Sequence, residues 1–133
     1  MDDTQALYSF WSGFDIPAYD VYSVPDDAKL PYITYNSASG DVRHVINLYG
    51  VVWYGSWIET EPNVVQDDSN SWVDAEHKAA EIDRYIGMDG VDIPIQGGTL
   101  HIARGSPPRQ RYPQSNTKIK GILINIQAKF IRV

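Results

Sequence analysis

Apolar residues Ala6, Leu7, Phe10, Trp11 and Phe14 recur three and four positions apart. That is the spacing of one helical face and predicts a helix over residues 2–13. Asp2 or Asp3 supplies a starting cap, and Gly13 a stop. The segment Asp15-Ile16-Pro17-Ala18-Tyr19-Asp20 reads as extended, and Pro25-Asp26-Asp27 as a turn. Leu30 to Tyr35 is rich in β-formers and predicts a strand, with Pro31 at its first or edge position. From Val45 to Tyr54, Val, Ile, Tyr and Trp fall on both alternating faces. This predicts a central strand covered by a helix on one side and by a partner on the other. Gly50 in its middle marks a bulge or a close backbone approach.

Ala75, Ala79, Ile82 and Ile86 form the clearest helical stripe and predict a helix over 72–86. Ser71 and Asp74 have capping-box spacing, and Gly87 stands where a left-handed residue closes a helix. Val91 to Ile95 and Thr99 to Ala103 form a hairpin around Gly97-Gly98. At the end of the chain Ile122, Ile124, Ile126, Ala128 and Phe130 alternate with Asn125, Gln127 and Lys129. A period of two means one buried face and one polar face. Between these elements lie two stretches without a period: an inserted loop at about 55–71, and a basic, proline-rich loop at about 104–118. The expected fold class is α+β, a mostly antiparallel sheet with two helices packed on one face, in a single domain over 1–133. Residues 31–35 and 119–131 are the expected edge strands, available for pairing between subunits.

Charge sharpens the picture. All 17 acidic residues lie between Asp2 and Asp92, whereas seven of the 11 basic residues lie from Arg104 onward. The first 92 residues carry −13 and the last 41 carry +7. Either the fold neutralises the two parts within one chain, or the basic part of one subunit meets the acidic part of the next, a heterologous contact. No cysteine is present, which removes disulfides, thiolate nucleophiles and cysteine-ligated zinc. The acidic start of the chain and the lack of a membrane-length apolar run point to folding in the cytoplasm, with no membrane partner.

Candidate chemistry is sparse. His44, His77 and His101 form no metal-binding pair, and no phosphate-binding glycine loop or nucleophile elbow occurs. Asp26-Asp27 and Asp67-Asp68 match no cation loop. No catalytic residue, cofactor or metal is expected. Two features suit contacts instead. Trp53 and Trp57, with Tyr54 and Trp72, form an aromatic cluster fit for core or subunit-interface packing, or for stacking on a sugar or base. Arg104, Arg109, Arg111, Lys118 and Lys120 form a basic set that could grip nucleic-acid phosphates, but in an acidic chain with little aromatic interleaving it better suits an acidic protein surface.

These motifs resemble a known family. The string Phe10-Trp11-Ser12-Gly13-Phe14-x-Ile16-Pro17-Ala18-Tyr19-Asp20 is followed by Val24-Pro25-Asp26-Asp27-Ala28-Lys29-Leu30-Pro31-Tyr32-Ile33-Thr34-Tyr35. Together they look like the small tail-terminator or minor structural proteins of long-tailed phages and prophages of Gram-positive bacteria. Ser71-Trp72 with Lys78-Ala79-x-Glu81-Ile82, Gly98-x-Leu100-x-Ile102-x-Arg104-Gly105-x-Pro107, and Ile124-Asn125-Ile126 fit too. The chain departs from that pattern in the insertion at 55–70 and at Pro108-Arg109, which replaces a more apolar pair. The resemblance implies a non-enzymatic virion protein at the head-proximal end of the tail, assembled in host cytoplasm. It implies a homo-oligomeric ring, typically a hexamer, that caps the tail tube protein and meets neck or connector proteins. DNA passes through such a ring without specific binding. Alternatives are another tail or head-completion protein, or a carbohydrate-binding module.

Overall fold

The computed structural model describes residues 2–37, 45–55, 69–112 and 119–132. Helix α1 runs Asp3–Trp11, followed by strands β1 (Ala18–Asp20), β2 (Tyr32–Tyr35) and β3 (Ile46–Gly55). Helix α2 spans Ser69–Ile86, and strands β4 (Val91–Ile95), β5 (Gly98–Tyr112) and β6 (Ile119–Arg132) complete the chain. The six strands form one curled, mixed sheet in the order β1-β2-β3-β6-β5-β4. Only β1 and β2 pair in parallel. The class is α+β, as expected.

Local chemistry explains the helix ends. Asp2 caps α1 in a reciprocal box. Its carboxylate accepts the Gln5 N–H at 2.8 Å, and its own N–H donates to Gln5 Oε1 at 3.0 Å. The helix stops at Trp11, with Ser12 rather than Gly13 as its final cap. Helix α2 closes on Gly87, whose φ of 69° is the left-handed conformation that glycine adopts without a Cβ penalty. It begins at Ser69, so Ser71 lies inside the first turn and is not its cap.

Strand alternation sorts the sheet into two faces. One face presents Ile33, Leu48, Val52, Leu100, Ile102, Ile122, Ile124, Ile126 and Ala128, all buried in one cluster with both helices. The α2 stripe Ala75, Ala79, Ile82 and Ile86 is fully covered against it. Helix α1 touches β1 and β4, the two outer strands, so it spans the mouth of the curl. The expected polar alternation along β6 holds, with Gln127 and Lys129 exposed on the opposite face.

Gly50 resolves as a close approach. The β3–β6 register runs through it unbroken, so no bulge exists there. A Cβ on Gly50 would lie 2.6 Å from Cη2 of Trp11, whose ring occupies that space. The hairpin turn is Gln96-Gly97 rather than Gly97-Gly98; Gly98 is already paired with Ile95.

Three expectations need correction. The basic loop at 104–118 is in large part strand, because Arg104 to Tyr112 continue β5 along β6. The proline signal misleads because the ladder bulges there. Arg104 faces Ile126 and Arg109 faces Ile124, so residues 105–108 stand opposite Asn125 alone. Prolines lack the N–H a ladder needs and fit a bulge, and the Asn125 Nδ2 group donates to the Pro107 carbonyl at 2.8 Å. Second, residues 31–35 and 119–131 are not edges. Strand β2 lies between β1 and β3, and β6 between β3 and β5. The edges are β1, three residues long, and β4, which carries Pro94. Short edges with proline resist unplanned pairing. Third, of the inserted loop at about 55–71, Gly55 ends β3 and 69–71 belong to α2; residues 56–68 lie outside the described residues.

Replacing Gly50 with Ala is expected to cost about 1–3 kcal/mol, the range for overpacking a dense core. A urea titration checks this. In a Trp11→Leu background the same change should cost clearly less, because the colliding ring is gone.

Candidate functional site

The two flanks of α2 carry different charge sets, one on each side of its apolar stripe. Trp72, Glu76 and Asp83 follow at i, i+4 and i+11 and face β5 and β6. Asp74, Lys78 and Glu81 follow at i, i+4 and i+7 and face the end of β3. Strand alternation places Arg104, Arg109 and Arg111 on the same sheet face as α2, the bulge restoring the phase between Arg104 and Arg109.

Two of the basic residues from Arg104 onward pair with acids of α2 in the same chain. Arg104 Nε lies 2.9 Å from Asp83 Oδ1, and its Nη2 donates to the Asp83 carbonyl at 3.1 Å. Arg111 Nε donates to Glu76 Oε1 at 3.3 Å, a long contact between two largely solvated groups. The Arg111 guanidinium also lies 4.1 Å from the Trp72 ring centroid, and Lys120 Nζ lies 5.6 Å from it. Two cations thus share one indole. Arg109 is exposed and makes no ion pair among the described residues. Lys118 lies outside the described residues.

On the other flank, Tyr54, Asp74, His77, Lys78 and Glu81 line an open cleft. Lys78 Nζ donates to the Phe14 carbonyl at 2.8 Å and to Glu81 Oε2 at 3.0 Å. This ties α2 to the turn after α1. Burial, and then the Asp74 and Glu81 carboxylates, push the Tyr54 phenol above its usual pKa. Lys78 is already committed to two acceptors, and His77 is exposed on the helix surface. His101 instead contacts Asp92 across the hairpin at 2.6 Å. No group of three or more potential metal ligands occurs among the described residues, and no helix there is long and apolar enough to cross a membrane.

Among the described residues no helix packs on the opposite sheet face, which has an aromatic row. Register aligns Tyr32, Trp53, Gly121 and Tyr112 straight across β2, β3, β6 and β5. Trp53 lies over Gly121, where a Cβ would come within 2.7 Å of its Cζ3. Its Nε1 donates to Thr34 Oγ1 at 2.8 Å, Tyr112 packs edge-on at 5.4 Å, and Tyr19 packs edge-on against Tyr32 at 5.7 Å. The predicted cluster is therefore divided: Trp53 faces away from the helices, while Tyr54 and Trp72 lie on the helix side. Trp57 lies outside the described residues. Glu76, Asp83 and Thr34 were not singled out by sequence reasoning. The i, i+4, i+11 spacing of Trp72, Glu76 and Asp83 is the signal that could have found the first two.

No protein-family model, curated protein or solved structure matches this chain.

The two arginine pairs differ in burial, so their truncations should differ. Arg104→Ala leaves Asp83, mostly buried, without its cation and should cost about 1–3 kcal/mol. Arg111→Ala should stay within about 1 kcal/mol, as exposed pairs do. Denaturant titrations of both variants check the order. The Tyr54 shift also has a fixed sign. A phenol whose folded pKa exceeds its unfolded value, 10.0, contributes stability that is complete below that value and fades as pH rises through the folded one. Tyr54→Phe should therefore lose less stability than the parent above about pH 10. Parallel urea midpoints across that range would contradict the expectation.

Proposed function

We propose that the chain is a virion structural subunit: a ring-forming tail terminator or tail-to-head joining protein that caps the tail tube and offers a docking surface to the neck. On this reading it is not an enzyme. The observation that carries the proposal is the division of the sheet. One face is sealed by the chain's own helices. The other bears an aromatic row spread across four strands, with no helix over it among the described residues. Tyr32 is buried and Trp53 half-buried, while Tyr112 is exposed at the β5 end of the row, and an exposed aromatic backed by packed ones suits a subunit contact.

The strings that resemble the phage family support the same reading from the inside. Phe10, Trp11 and Phe14 come from the first, and Lys78, Ala79 and Ile82 from the helical one. The fold brings them together, with Lys78 bonded to the Phe14 carbonyl. The residues that carry the resemblance are thus the ones that build the packed unit. The net charge of −6 suits a ring through which DNA slides without adhering. A carbohydrate-binding module draws less support. Trp53 already spends its N–H on Thr34 and lays its ring on Gly121, so it is not a free stacking platform.

The first test is the mass in solution by light scattering, followed by incubation with purified tail tubes. Expected is a ring-sized mass, six times the 15.0 kDa of one chain for a hexamer, or monomers that collect on tube ends and halt elongation. A monomer at low and high salt that leaves tube growth unchanged defeats the proposal.

A further inference from the structure

Of the basic residues on the helix side, Arg104 is held by Asp83, whereas the distal pair is not committed in the same way. Arg109 and Arg111 stand two positions apart on one face of β5, about 7 Å along the strand, and line an open cleft of about 200 Å³ with Glu76 and Ile122. One acid serves this cleft among its lining residues, and it serves poorly: the Glu76–Arg111 contact is 3.3 Å long, with both side chains well exposed. Pairs of that kind are worth little in water. Arg111 is held in place independently, by its stacking on Trp72. Two guanidinium groups on a rigid strand, one of them anchored by an indole, make a fork suited to planar carboxylates.

We infer that this cleft is a capture site for carboxylate side chains of an acidic peptide segment, and that Glu76 is its built-in competitor. An incoming Asp or Glu bridges Arg109 and Arg111 and displaces Glu76 into solvent. The surroundings favour a short acidic segment over nucleic acid. Glu76 lines the cleft and Asp83 lies further along the same flank of α2, Asp74 and Glu81 line the other flank, and the chain carries −6 overall. A long polyanion meets that field along its whole length, whereas one or two carboxylates meet only the arginines. That the acid comes from a neighbouring virion protein rests on the proposed assembly role; the capture chemistry does not.

The test is a calorimetric titration of hexaglutamate peptide into the full chain at low salt. Expected is binding that weakens with added salt and falls at least about tenfold in Arg109→Ala, a change at an exposed residue with no ion pair among the described residues to lose. Glu76→Gln should tighten binding about two- to fivefold, the worth of a weak exposed pair. Asp89→Asn changes the net charge equally, in the exposed turn after α2, and should leave affinity unchanged. Absence of hexaglutamate binding overturns the inference, as does equal tightening by Glu76→Gln and Asp89→Asn. So does a hexathymidylate that binds more tightly than the peptide. Tube capping by the unaltered chain is measured separately, so loss of one reading leaves the other standing.

Discussion

Everything in this fold hangs on the ring of Trp11 resting against the backbone of Gly50. The indole is fully buried and stacks on Tyr35 at 6.3 Å, while Phe10 meets its edge at 4.8 Å. Gly50 sits in the middle of β3, a central strand, so the contact draws α1 onto the centre of the sheet. From there α1 reaches both β1 and β4, the strands at the two margins. A helix placed in this way acts as the filler of a curled sheet. The Trp11 Nε1 group finds no hydrogen-bond partner among the described residues. Its position is therefore set by packing alone, and burying an unpaired donor costs on the order of 1–3 kcal/mol. The surrounding aromatic contacts offset that cost.

Lys78 extends the same constraint to α2. Its ammonium caps the Phe14 carbonyl, just before Asp15, whose φ of 66° is left-handed without being glycine. A chain reversal in that conformation leaves carbonyls pointing away from any strand. A cation from the neighbouring helix is a strong partner for one of them. The two helices are thus linked through a polar contact at the rim of the core as well as through the buried Phe10 and Phe14 rings, which the exposed Tyr85 of α2 packs against.

Much of this was legible in the sequence, for physical reasons that vary by element. The α2 stripe and the β6 alternation are long, regular and buried on one side only, so periodicity alone reveals them. Gly50 was legible as a choice between two causes, because a glycine inside a strand needs one. Strand β1 was not legible as a strand: three residues cannot show a period, and its partner β2 is parallel and reached by a long connection. The distal half of β5 was hidden for the opposite reason. Pro107 and Pro108 are loop formers by local propensity, but a bulge of four residues absorbs both and lets pairing resume at Arg109. Once pairing resumes, the Arg104, Arg109 and Arg111 side chains share one face. No composition or spacing rule carries that phase across a bulge.

The candidate site was half legible for a related reason. The basic residues were visible, but their acids were not, because Glu76 and Asp83 look like the solvated face of an ordinary helix until β5 is placed beside them. Their placement brings opposite charges far apart in sequence together within one chain. Arg104 lies deep in the ladder, where Asp83 meets it with two contacts. Arg111 lies near the ladder's end, where Glu76 meets it with one long contact. Burial thus grades the pairs along the strand, from a fastened one near the bulge to a loose one beyond it. That gradient follows from exposure: Arg111 still lies beside α2, against Trp72 and Glu76, but both members of its pair are far more exposed than Arg104 and Asp83. Whatever meets this protein on its helix side encounters the loose end of the gradient first, while a partner on the other side encounters the aromatic row. The two surfaces lie on opposite faces of one sheet.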